Sequence, residues 1–145
     1  MAEWIRFQLG NGTHSGRQLL KAETLAETHT PQALIPRGSP FAPFFSDDVF
    51  STYDLGWMSS DYHGHLLIQH AGTTDAVTTL VAFMPDQQAG AMVLTNLANQ
   101  WLPSAVMYRV FDAFLGNKPR RLEHRVSEAL TVAVACVLWR LSAPI

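Results

Sequence analysis

Helical patterns occur in three parts of the chain, from the spacing of apolar residues in the first and last parts and from composition in the second. In the last of these parts, Leu102, Val106 and Val110 follow the four-residue spacing of an amphipathic helix. Glycine, asparagine or proline follows each part, and these residues commonly end helices. The helices predicted on this basis are Ala2 to Leu9, Lys21 to His29 and Asn99 to Leu115.

The centre of the chain has the residue pattern of β-strands. The strands predicted there are Tyr53 to Ser60, His65 to Ala71, Val77 to Met84 and Ala89 to Asn96. Short turns join the first pair and the last pair, and such short connections make neighbouring strands antiparallel. The last two strands are apolar on both alternating faces, which indicates that both faces of the sheet are covered. The pattern predicts a mixed α/β, α+β fold with an antiparallel sheet of about four strands and helices packed on it.

A long segment from Pro31 to Thr52 carries no helical or strand pattern. Prolines and phenylalanines are interspersed along it: Pro31, Pro36, Pro40, Pro43, Phe41, Phe44, Phe45 and Phe50. Loops of this length are usually lids, binding loops or disordered segments. The phenylalanines indicate that the segment packs against something, either this chain or a partner.

The amino-acid composition of the chain changes after Gly116. Basic residues come first, which is typical of a solvated linker, and the apolar run Ala129 to Trp139 follows. That run is much shorter than the roughly 20 residues that span a bilayer as a helix. We therefore predict a buried or partner-facing helix there, with a truncated membrane anchor as the alternative. The predicted division is 1–116 for the sheet domain and 117–145 for a basic linker and apolar tail helix of uncertain origin.

Composition limits the function classes. The chain has 145 residues, of which 48% are hydrophobic and 15% are charged, as in a globular domain. A net charge of −2 gives no general attraction to nucleic acid. The one cysteine, Cys136, rules out an internal disulfide and is interpreted as a small core residue. Residues 1–11 include Glu3 and Arg6 and do not resemble a signal peptide, which suits a cytoplasmic chain as written but leaves the compartment unknown.

Four short motifs follow one another through the predicted sheet. They are Tyr53-Asp-Leu-Gly-Trp57, His70-Ala-Gly-Thr73, Phe83-Met-Pro-Asp86 and Val93-Leu-Thr-Asn96. Their order resembles that in β-lactamase-related serine hydrolases, the family of class C β-lactamases, D-alanyl-D-alanine carboxypeptidases, related esterases and penicillin-binding-protein-like enzymes. The stretch from Trp4 to Gly12 resembles a late helix of that family's helical domain. From about Ala2 to Gly116 the chain resembles the C-terminal half of such an enzyme, which implies a partial β-lactamase/transpeptidase-like fold. Members of the family are often exported.

The resemblance assigns a role to residues 70–73. His70-Ala71-Gly72 matches the motif, Lys-Thr-Gly or His-x-Gly, that closes the family's active site on a strand. The resemblance implies that His70 lies near a substrate carboxylate or the catalytic hydroxyls, and that the Thr73 N–H forms half of an oxyanion hole. From the residues alone, His70 is also compatible with a strand-end histidine that satisfies local hydrogen bonds. Gly72 is compatible with close approach of a substrate backbone or with a bulge.

The family's other two motifs are absent. The lysines are Lys21 and Lys118, and neither follows a serine by three residues; no tyrosine has an asparagine two residues later. We therefore predict that the chain alone neither forms an acyl-enzyme nor turns over substrate. It would supply the His-x-Gly wall for an ester, amide or β-lactam substrate only together with the missing half. The alternative is a non-enzymatic binding or interaction module or a gene remnant, with self-association through an uncovered sheet or the apolar tail.

Metal chemistry has one weak candidate. His63 and His65 flank Gly64 in a predicted turn. Zinc normally takes three or four protein ligands, and no further ligands occur at suitable spacing. No metal site and no cofactor are predicted.

Overall fold

Helices lie on an antiparallel sheet in the computed structural model, which describes residues 1–37, 39, 50–98 and 101–118 and the backbone of 134–140. The predicted α+β class is confirmed. The helices are α1, Ala2–Leu9; α2, Ala22–Thr28; and α3, Leu102–Leu115. None of the helices in the described part of the chain is long and apolar enough to cross a bilayer.

The sheet is larger than the predicted one of about four strands. It has seven strands, each antiparallel to the next in chain order. The strands are β3, Ala33–Leu34; β4, Ser51–Tyr53; β5, Met58–Tyr62; β6, His65–Thr73; β7, Thr78–Met84; β8, Ala89–Thr95; and β9, Val134–Arg140. A separate two-stranded ribbon follows α1 and consists of β1, Thr13–His14, and β2, Arg17–Gln18.

The predicted strand Tyr53 to Ser60 is wrong, because the chain reverses direction within it. A tight turn separates β4 from β5, with the Asp54 N–H donating to the Trp57 carbonyl over 2.8 Å and Gly56 at a φ of 83°. The buried Asp54 carboxylate accepts hydrogen bonds from the hydroxyls of Thr52, at 3.0 Å, and Ser59. These two bonds tie both strands to the turn, so the aspartate satisfies its own burial locally.

Both faces of the sheet are covered, as the apolar pattern of β7 and β8 predicts. Helix α3 lies over β7 and β8 on one face, and helix α1 lies over β7, β8 and β9 on the other. The core under α3 consists of Tyr62, Leu67, Leu80, Ala82, Met84, Ala91, Val93, Met107, Tyr108 and Phe111. The core under α1 consists of Ile5, Leu9, Trp57, Ile68, Phe83 and Met92. Gly90 lets α1 approach closely, because a Cβ there would stand 2.4 Å from Ile5 Cγ2.

The predicted tail helix is wrong for residues 134–140. They form strand β9, which pairs with β8 from Thr95↔Val134 to Ala89↔Arg140. Without β9, the backbone edge of the buried strand β8 would lack a neighbour, and an open edge of that length favours strand addition. The tail therefore closes the sheet on that side. The division of the chain at residues 116 and 117 stays a prediction, and the basic residues 120, 121 and 125 lie outside the described part.

Candidate functional site

The end of β6 has an open backbone edge. Strand β5 pairs with β6 only from Tyr62↔His65 to Met58↔Gln69. The four remaining residues of β6, His70 to Thr73, pair with β7 on their other side. Within the described residues no strand lies beside them on the β5 side. Among the described residues, no strand pairs with the N–H and C=O groups on that side, so they offer pairing positions to an extended ligand.

Gly72 lies in this open segment without a conformational need for glycine. The β6–β7 register runs without a slip from Ile68↔Phe83 to Thr73↔Thr78, so the segment has no bulge against β7. Gly72 is also absent from the glycines with positive φ. A Cβ at Gly72 would approach only the Thr79 hydroxyl, at 3.0 Å. The register therefore excludes a bulge at Gly72 on the β7 side. The other interpretation, close approach of a substrate backbone to Gly72, remains.

His70 is the half-buried member of the segment, whereas Ala71, Gly72 and Thr73 are exposed. Its Nε2 lies 3.2 Å from the Tyr53 hydroxyl, and the two rings meet edge to face with centroids 6.1 Å apart. The structure thus brings together two residues that are 17 positions apart in the chain. Sequence analysis missed Tyr53 as a site residue, although it begins one of the motifs that carry the family resemblance.

The two histidines considered for metal binding each contact a carboxylate instead. His63 Nε2 lies 3.2 Å from the fully buried Asp112 of α3, which also accepts the Tyr62 hydroxyl at 2.5 Å. His65 Nδ1 lies 2.5 Å from Asp86 in the β7–β8 turn. In the described residues no group of three histidine, cysteine, aspartate or glutamate side chains is arranged to hold a metal ion. These pairs lie at the β5–β6 turn, at the opposite end of β6 from His70.

The contact with His65 affects the pKa of Asp86. Partial burial tends to raise the pKa of Asp86, but hydrogen bonds from His65 and Gln87 outweigh it and hold that pKa below its ordinary value. The carboxylate is therefore ionised at neutral pH and fixes the turn between β7 and β8. This arrangement suits a structural role, because the His65 and Asp86 side chains bind each other.

No serine in the described sheet is a candidate nucleophile. The Ser59 hydroxyl donates to Asp54, and neither it nor the Ser60 hydroxyl is exposed to solvent. The Ser60 hydroxyl lacks a hydrogen-bond partner among the described residues, so no base is in place to activate it.

His29 is a second residue, after Tyr53, that sequence analysis missed. It follows α2 and packs against Trp57 and Phe83, with ring centroids 6.0 and 5.3 Å away. Its Nε2 lies 2.8 Å from Oε1 of the buried Gln8 of α1. Burial lowers the pKa of His29 below its ordinary value of 6.5, while the nearby Asp54 carboxylate opposes this shift without overcoming it.

We expect His29 to make the fold less stable in mild acid. The unfolded chain binds a proton at His29 near pH 6.5, whereas the folded chain binds it only at lower pH. The free energy of unfolding therefore falls as pH drops below about 6.5 toward the lowered folded pKa, and it is unaffected by His29 at higher pH. Urea unfolding at about pH 8 and about pH 5.5 should show a smaller pH-dependent loss for His29→Gln than for the wild type.

The matched control for His29 is His14→Gln, because His14 is partly exposed and its Nδ1 lies 3.4 Å from the exposed Glu3 carboxylate. This variant should keep the acid sensitivity of the wild type. Equal acid sensitivity in the wild type and His29→Gln would contradict the assignment.

No protein-family model, curated protein or solved structure matches this chain. The resemblance to β-lactamase-related serine hydrolases therefore rests on the four motifs in the central sheet.

Proposed function

We propose that this chain supplies the substrate-facing strand of a serine hydrolase site of the β-lactamase-related type. The substrate would be an ester, an amide or a β-lactam, and the nucleophile would come from residues outside these 145. The observation that carries the proposal is the open edge of β6 over His70 to Thr73. It combines the His-x-Gly motif with exposed backbone groups and a glycine that leaves room beside them.

The chemistry follows from that edge. A substrate laid along β6 would pair with its outward backbone groups, and the missing Cβ of Gly72 would let it approach closely. The N–H of Thr73 would donate to the acyl oxygen as negative charge develops there, which is worth about 3 kcal/mol of transition-state stabilisation. The nucleophile's own N–H would be the second donor. This chain would therefore bind and polarise the acyl group, and the covalent step would use the external serine.

A binding module without chemistry is the second candidate. An open strand edge can capture an extended peptide through main-chain hydrogen bonds alone. The observation that favours this candidate is that no serine in the described sheet has both exposure and a neighbouring base. The two candidates differ in whether a nucleophile completes the site.

Intact-protein mass spectrometry separates the candidates. The chain is incubated separately with a fluorophosphonate, benzylpenicillin and p-nitrophenyl butyrate, first alone and then with a polypeptide that carries Ser-x-x-Lys and Tyr-x-Asn. We expect an unmodified mass for the chain alone and, in the mixture, acylation of the added polypeptide that depends on this chain. Acylation of this chain alone at a single serine would contradict the proposal. A mixture that stays unmodified would favour the binding module.

A substitution at the edge sharpens the test. Gly72→Val should lower the rate of acylation in the mixture at least about tenfold, because a branched side chain would occupy the space beside the strand. Asp75→Asn is the matched control, since Asp75 is exposed in the turn after β6. Equal rates for the two variants would show that the substrate does not lie along this edge.

A further inference from the structure

The Tyr53–His70 contact determines which nitrogen of the imidazole is available to a ligand. The Tyr53 hydroxyl lies 3.2 Å from Nε2, so Nδ1 is the nitrogen that this contact leaves unengaged. A neutral imidazole has one N–H donor and one lone-pair acceptor, and a partner at one nitrogen fixes the character of the other. The direction of the Tyr53–His70 hydrogen bond therefore decides whether the ring offers a donor or a base.

The phenol is the better donor of the two groups. A tyrosine hydroxyl ionises near pH 10, whereas the N–H of a neutral imidazole is a far weaker acid, and the unprotonated ring nitrogen is a good acceptor. The stronger hydrogen bond runs from the Tyr53 O–H to the lone pair of Nε2. With Nε2 accepting, the proton of the neutral ring must lie on Nδ1.

We propose that Tyr53 is a positioning residue that holds His70 in the tautomer protonated on Nδ1, so that the ring presents an N–H donor to an oxygen acceptor lying along the open edge of β6. In that state His70 recognises a carbonyl or carboxylate oxygen and does not act as a general base through Nδ1. This inference assigns a role within the site of the proposed function and rests on it for the identity of the ligand. The tautomer itself is a property of this chain alone.

Partial burial and two contacts support a fixed orientation of the His70 ring. His70 is half-buried and touches Tyr53 by both the hydrogen bond and the edge-to-face ring contact. Two contacts on one ring restrict its rotation, and a donor with a fixed direction costs less entropy when a ligand binds. Tyr53 reaches His70 although β5 separates their strands, because β5 begins at Met58, opposite Gln69, and does not extend beside His70.

Long-range ¹H–¹⁵N correlation spectra of the ¹⁵N-labelled full chain read the tautomer directly. At about pH 8, where an ordinary histidine is neutral, we expect His70 to show a protonated Nδ1 and an unprotonated Nε2. Imidazole side chains free in water favour the opposite tautomer. The His70 signals are assigned by their loss in His70→Gln. A wild-type His70 protonated mainly on Nε2 would overturn the proposal without any variant.

Tyr53→Phe tests the cause of the tautomer. It removes the hydroxyl and keeps the ring, so His70 should shift toward protonation on Nε2, while the signals of His63 and His65 at the other end of β6 stay unchanged. An unchanged His70 tautomer with those signals intact would overturn the role of Tyr53. These spectra need no substrate and no nucleophile. A hydrolase test that fails beside a confirmed tautomer therefore counts against the proposed function and not against the positioning of His70.

Discussion

A chain that stops after Asn117 should unfold at a lower urea concentration than the full chain and should self-associate more strongly. The truncation removes β9 and leaves the edge of β8 without its neighbour over seven paired positions. Strand β8 is buried at every position except Leu94. Each ladder hydrogen bond contributes a net of about 0.5–1.5 kcal/mol, so we expect the free energy of unfolding to fall by at least about 3 kcal/mol. An open, largely apolar edge of this length also invites pairing between copies.

The control for this truncation is a chain that stops after Arg140, which keeps all of β9. It should match the full chain in urea unfolding followed by circular dichroism. Sedimentation velocity over a range of concentrations should show more association for the shorter chain than for this control. Equal stability and equal association for the two truncated chains would mean that β9 does not pair with β8 in solution.

Local patterns predict the regular elements best where the signals within a short window agree. The predicted helix Ala2 to Leu9 has the bounds of α1, because apolar spacing and the Gly10-Asn11-Gly12 stop agree. The strand predicted from Val77 to Met84 differs from β7 by one residue, since its two apolar faces suit the centre of a covered sheet. Pairing of the strands as antiparallel neighbours followed from their short turns.

One of the two features that the pattern missed depends on long-range contacts, and the other depends on a local turn. The residues of β9 are apolar and suit either a buried helix or a strand by composition, and the open edge of β8 decides between them. The turn at Asp54 interrupts a run that is continuous in composition, and it is held locally by Gly56 at positive φ and by the hydroxyls of Thr52 and Ser59. The pairing of β9 with β8 is not visible within a short window of sequence, whereas the residues that form the Asp54 turn all lie within one.

Part of the candidate site could be predicted from the sequence, and part of it could not. Residues 70–73 could be selected from the sequence by resemblance, and they lie together because β6 extends to Thr73, two residues beyond the predicted strand. Their catalytic role stays a prediction. Tyr53 and His29 could not be selected, because their contacts with His70 and Gln8 join residues 17 and 21 positions apart. Such contacts depend on the hairpin geometry and on the docking of α2.

Phe83→Ala should cause a loss of stability similar to that of the truncation. Phe83 is fully buried in the core under α1, where its ring meets Trp57 edge to face at 5.1 Å and lies 5.3 Å from His29. Replacing a buried phenylalanine with alanine typically costs about 3–5 kcal/mol, from lost burial and from the cavity that remains. A typical domain has about 5–15 kcal/mol in total, so a large share of the stability would be lost.

Two comparisons make the Phe83 prediction specific. Phe83→Leu should lose less than Phe83→Ala, because it keeps more of the buried volume. Leu34→Ala is the exposed control: Leu34 is 80% exposed on the short edge strand β3, and its variant should stay within about 0.5 kcal/mol of the wild type. Urea unfolding of all three variants measures these differences. A Phe83→Ala loss no larger than that of Leu34→Ala would contradict the packing of α1, α2 and β7 around this ring. Because Phe83 pairs in register with Ile68, two residues before His70 on β6, that packing also supports the strand whose open end forms the candidate site.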